Sequence, residues 1–158
     1  MTMNRANLAL LLPLLFTGGC GHGHDHDHAA EGGHEHAAVH EGAVMVEIGD
    51  HFAQLEARVD PEAGVLELWF WDHENAVRLA DESLAVEVTV GDVTGVVICA
   101  AQASALTGET VGDSSEFRGE SELLVGAERV SGVVLGATVR GTAFERIEFT
   151  WPGAESDE

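Results

Sequence analysis

The sequence predicts an all-β fold, a small antiparallel β-sandwich of about seven strands that follows a disordered His-rich tether. Three observations carry that reading. From residue 44 onward, short apolar runs alternate with polar residues at the two-residue period of a strand, and none keeps a long helical period. Gly and Asp punctuate those runs at the spacing of turns. Upstream, seven of the nine His fall between positions 22 and 40, in a stretch with almost no apolar side chain from which to build a core.

Residues 1–19 read as an export signal. Arg5 supplies the positive end, and residues 8–16 form a nine-residue apolar run interrupted by Pro13, too short to cross a bilayer as a helix. Thr17-Gly18-Gly19-Cys20 resembles the lipobox of bacterial lipoproteins, although Thr17 stands where Leu is usual. The resemblance implies a lipidated Cys20 at the mature terminus. It places the protein in the cell envelope, on the periplasmic face of the outer membrane or the cell surface, with the membrane as a partner through the anchor.

Residues 20–43 then form the tether. In an extended chain, side chains two apart project the same way about 6.6 Å from one another, so His22, His24, His26 and His28 make one row, with Asp25 and Asp27 between them. Imidazole suits Zn²⁺, Cu²⁺ and Ni²⁺, and carboxylates neutralise the charge. His34, His36 and His40 extend the ligand set. So pliant a segment favours capture or buffering over catalysis. Cys20-Gly21-His22 adds a possible square-planar nitrogen site, provided that the terminal amine is free.

Net charge is −21 with no Lys, and the six Arg beyond the export signal are scattered. Nucleic acid is excluded as a partner, because phosphates require a basic face. Cys20 and Cys99 are the two cysteines. With Cys20 assigned to the lipid, Cys99 in its apolar run reads as a small buried hydrophobe.

Residues 44–152 form the β-domain, and residues 153–158 an acidic tail. A four-residue loop at 61–64 pairs Asp60 with Val65, Val59 with Leu66, Ala57 with Leu68 and Leu55 with Phe70, and sets Arg58 against Glu67 on the other face. A tight turn at Gly91-Asp92 aligns Leu84, Val86, Val88 and Val90 with Cys99, Val97, Gly95 and Val93. A third hairpin joins 130–139 to 143–151. A three-residue loop there aligns Val139 with Ala143, Leu135 with Ile147 and Val133 with Phe149. The Gly-, Ser- and Glu-rich stretch between the second and third hairpins accommodates a short helix near 121–125.

Continuing the first register sets Phe52 against His73 and His51 against Glu74, so His51, His73 and Glu74 are candidates for a second metal site beside Asp50 and Asp72. Trp69 and Trp71 share one face of their strand. That pattern fits a central strand buried on both sides, or a platform for a small ligand. The sequence contains no nucleophile with a recognisable base and no phosphate loop, so an enzyme is not expected.

The Cys20 lipobox, the run 22–28, His40-Glu41-Gly42-Ala43 leading into Val46-Glu47-Ile48-Gly49-Asp50-His51, and Val59-Asp60-Pro61-Glu62-Ala63-Gly64 together resemble His-rich bacterial lipoproteins of uncharacterised function. They are also similar to the region ahead of periplasmic adaptor subunits of heavy-metal efflux pumps. The likeness covers mainly residues 20–75 and implies metal handling, with an envelope or metal-efflux protein as partner. The chain lacks the lipoyl-type and long hairpin parts of such adaptors. The expected function is therefore divalent-metal binding at the envelope; the alternative is a structural or partner-binding module for which the tether is only a spacer.

Overall fold

The computed structural model describes residues 38–153. The export signal, Cys20, His22, His24, Asp25, His26, Asp27, His28, His34 and His36 lie outside the described residues, as does nearly all of the acidic tail. Eleven strands run in order: β1 (Val44–Ile48), β2 (Ala53–Asp60), β3 (Val65–Asp72), β4 (Asn75–Ala76), β5 (Ser83–Val90), β6 (Val93–Ala101), β7 (Glu116–Glu120), β8 (Val130–Val134), β9 (Ala137–Val139), β10 (Thr142–Phe144) and β11 (Ile147–Trp151). The number exceeds seven because short pieces such as β4, β9 and β10 are strands in their own right.

The fold is all-β and antiparallel. The two layers expected of a sandwich are the two sides of one continuous sheet in the order β1-β2-β3-β7-β6-β5-β8-β11, with β4 added to β3, and β9 and β10 as a separate ribbon. Strand β11 comes back against β1, so the sheet nearly closes on itself. That approach covers part of the two edges that would otherwise stand open to other chains. Inside sit the alternate apolar residues of each strand, among them Leu55, Leu68, Phe70, Val86 and Phe117, with Phe70 and Phe117 meeting edge to face at 5.8 Å.

The first two hairpins have the registers the sequence dictates, including Arg58 opposite Glu67 and Leu84 opposite Cys99. Asp60 fixes the first turn by accepting the amides of Glu62 and Ala63 at its Oδ1, at 2.9 and 3.1 Å. Gly64 has φ +69°, and a Cβ there would lie 2.8 Å from the Ser121 carbonyl oxygen. A short 3₁₀ turn occupies Glu122–Leu124, capped by the Ser121 side chain.

The third hairpin differs from expectation by one residue. Its loop is the two-residue Arg140-Gly141, so Val139 opposes Thr142, Val134 opposes Ile147 and Gly132 opposes Phe149. Arg140 and Gly141 both have positive φ, 51° and 81°, the backbone of the tight turn that matches strand twist. Turn chemistry therefore outweighs the apolar count. Gly132 seals the register, because a Cβ there would lie 2.1 Å from the Phe149 ring. Leu135 leaves the core, 40% exposed, and its amide bonds to the Ala85 carbonyl.

Candidate functional site

Strand alternation turns Leu55, Ala57 and Val59 of β2 inward, with Leu66, Leu68 and Phe70 of β3. Gln54, Glu56, Arg58, Glu67, Trp69 and Trp71 therefore share the outer face, where Glu56 opposes Trp69 and Gln54 opposes Trp71. An outward carboxylate ordinarily meets water. Glu56 is instead 0% exposed, because the segment just ahead of β1 is laid over it.

His40 makes that cover. Its backbone N–H donates to Glu56 Oε1 at 2.6 Å, and its Nδ1 lies 3.0 Å from Glu56 Oε2. The Trp71 Nε1–H donates to the same Oε2 at 2.8 Å. The imidazole stacks on the Trp69 indole with centroids 3.9 Å apart and planes 15° apart. Gly42 continues the strap with φ +76° and accepts the Trp151 Nε1–H at 2.8 Å. Arg58 closes the other side, its guanidinium 5.5 Å from the Trp69 ring and its Nε–H bonded to Glu67. The burial of Trp69 on its outer side thus comes from the end of the His-rich segment and from Arg58, not from a second layer of sheet.

This geometry fixes the chemistry of His40. When Nδ1 donates to the carboxylate, the ring is the tautomer whose lone pair is on Nε2. Among the described residues Nε2 has no hydrogen-bond partner. A carboxylate behind one ring nitrogen with the other left open is an arrangement that can orient a histidine toward a metal ion. His40 is thus the one expected tether ligand that the described residues place in a defined setting.

The structure treats the expected second site differently. His51 and His73 come to one small cavity with Ala53, Gln54 and Asp72. His51 Nδ1 lies 2.8 Å from Glu47, and His73 Nδ1 lies 3.0 Å from Asp72. Arg140 also bonds Asp72, at 2.8 Å. The hydrogen bond from His73 is the main influence holding the Asp72 carboxyl below its ordinary range, and the Arg140 charge adds to it. Glu74 is not brought to His51, because the chain reverses at His73-Glu74 and pairs Asp72 with Asn75. Among the described residues no group of three or more His, Cys, Asp or Glu is arranged to hold a metal ion. His51, His73 and Glu74 are therefore not preassembled as a site.

Cys99 lies in the core opposite Leu84 as a free thiol, and burial pushes its pKa up to about 12. It is structural, as its apolar setting implies.

Glu56 and Gln54 carry the site yet are not among the residues the sequence singled out. A signal for Glu56 was present: the predictable hairpin register sets it directly across from Trp69, and an acid facing an indole asks for a donor. No family model, no curated protein and no solved structure matches the chain.

Proposed function

We propose that this protein is a lipid-anchored cell-envelope protein that captures and buffers divalent transition-metal ions, Zn²⁺, Cu²⁺ or Ni²⁺, through its His-rich segment. The observation that carries the reading is His40 held through Nδ1 by the buried Glu56, with Nε2 left to coordinate. Flexible imidazoles pay an ordering cost on meeting an ion, whereas a ligand already oriented avoids it. His40 therefore offers a captured ion one ligand that is already oriented. Protons compete with the ion for imidazole, so capture weakens as pH falls below about 6.5.

Copper titration of the mature chain tests this, read by bound metal and by indole fluorescence. Because His40 stacks on Trp69, Cu²⁺ at His40 quenches emission; in His40→Ala most of the quench is lost while the other imidazoles still take up metal. A variant with the seven His of positions 22–40 changed to Ser that bound as much Cu²⁺ as the parent would end the proposal.

A second reading, partner docking, is favoured by a separate observation. Val96 and Ile98 on the outward side of β6 are 58% and 59% exposed. A crosslinked envelope partner whose capture survives chelator and the seven His-to-Ser changes, but not Ile98→Glu, would select it.

A further inference from the structure

On the outer face of β2 and β3 and at the open end of their hairpin, cationic or imidazole groups lie on aromatic rings with carboxylates behind them. Arg58 lies over Trp69 and bonds Glu67; Arg140 lies 5.2 Å from the Phe52 ring and bonds Asp72; His40 stacks on Trp69 and bonds Glu56. Trp71 has the carboxylate too, since Glu56 accepts its Nε1–H. Among the described residues no guanidinium lies over its ring, and the His40 imidazole meets it only obliquely, with centroids 6.3 Å apart and planes at 40°. Trp71 instead lines an open cleft of about 780 Å³ with Met45, Gln54, Glu74 and, from the strap, Val39.

Gln54 adds a hydrogen-bonding group to the lining of the cleft. It is 6% exposed and its side-chain amide bonds to no other described residue; since no buried side-chain N or O among the described residues lacks a partner, the amide keeps contact with solvent. Gln54 lines the cleft, and there its amide offers a donor and an acceptor to an occupant. The chemistry of the lining then selects the ligand. Glu74 contributes negative charge, the other ionisable lining residue is His73, no Arg lines the cleft, and the chain contains no Lys and carries a net charge of −21. An anionic ligand is repelled. A carboxylate bonded to the indole N–H pushes electron density into the ring and strengthens its attraction for a cation.

We infer that this cleft binds an organic cation bearing N–H groups, an alkylammonium or guanidinium, seated on the Trp71 face. Its N–H is donated to the Gln54 amide oxygen, and Glu74 balances its charge. The ligand comes from one of two sources, a small free amine or a Lys or Arg side chain of a partner protein.

The test uses the full mature chain in EDTA, so that bound metal plays no part and the outcome is independent of the metal reading. Agmatine, choline, cellobiose and an acetylated, amidated Gly-Lys-Gly peptide are titrated at physiological ionic strength, with saturation-transfer NMR and indole fluorescence as readouts. Agmatine or the peptide binds, choline binds more weakly because it has no N–H, and cellobiose does not bind. The tighter of agmatine and peptide names the source. Gln54→Leu leaves the net charge unchanged and weakens binding about fivefold, the loss expected for one hydrogen bond. Circular dichroism checks its fold. The exposed Glu74→Gln gives a second loss of about threefold, in the range of a surface ion pair, should Gln54→Leu unfold. Equal affinity for parent and both variants means nonspecific attraction to an acidic protein and overturns the inference, as does preference for cellobiose or absence of all binding.

Discussion

Among the described residues two carboxylates are withdrawn from water, and they are held in opposite ways. Glu109 is 7% exposed and accepts the Ser115 amide at 3.0 Å, the Ser115 hydroxyl at 2.5 Å and the Thr107 hydroxyl at 2.8 Å, with Arg78 at 3.7 Å. Apart from Arg78, those partners lie two to six residues away in one loop. Glu56 is 0% exposed, and its partners His40 and Trp71 are sixteen and fifteen residues distant. A web spun within one loop stabilises that loop and has no further reach. A carboxylate whose donors come from a strap and a separate strand reports on whether the strap is in place.

The widest difference between the two is expected in stability. Glu109→Ala strands the Ser115 amide and hydroxyl in the interior and costs about 3 kcal/mol, whereas Glu56→Ala lets the strap lift and water reach the Trp71 N–H, at about 1–2 kcal/mol. Urea unfolding measures both, and the reverse order would break the contrast. Lowering the pH sharpens it. Burial, the largest influence, raises the Glu109 carboxyl, but the bonds from Ser115 and Thr107 and the Arg78 charge together hold it below its ordinary value of 4.5. A carboxyl lowered by folding contributes stability that is complete above the unfolded-state value and fades as pH falls through the folded-state value. The stability gap between parent and Glu109→Ala therefore narrows below about pH 4.

Metal response separates the two next. Glu56→Gln removes the charge behind His40 and weakens the Cu²⁺-dependent quench about tenfold in apparent affinity, the lower bound for losing an outer-shell partner. Glu109→Ala leaves that quench where it was. Cys99 then serves as an internal gauge: with its thiol pKa at about 12, iodoacetamide at neutral pH labels it only in opened molecules. Labelling should accelerate more in Glu109→Ala than in Glu56→Ala. The smallest effect falls to Arg58→Ala. Its ion pair with Glu67 has the Arg side chain 36% exposed, and about 0.5 kcal/mol is the expected loss.

What the sequence revealed follows from the range of each interaction. The hairpins at 61–64 and 91–92 were readable to the residue because apolar alternation and turn chemistry agree there. At 140–142 they disagree. Counting apolar matches placed Leu135 in the core, while Arg140-Gly141 with both φ angles positive imposed the shorter loop. Closure of the sheet through β1 and β11 depends on contacts between strands a hundred residues apart, which no local pattern encodes. The clasp was illegible for a related reason. His40 sits in a stretch whose composition argues against a fixed place, and only the sheet's outer face, with Glu56 between two indoles, gives it one. Glu74 was misplaced beside His51 because the strand register was extended past the point where the chain reverses into β4.

The strap is fastened twice before the first strand begins, at His40 to Glu56 and at Gly42 to Trp151 of the last strand. If the protein is pulled from its amino-terminal side, the load meets these fastenings before it meets β1. Tension would peel His40 from Trp69 while the sheet remained intact, so extension under force ought to show a small early step ahead of the rupture that opens the domain.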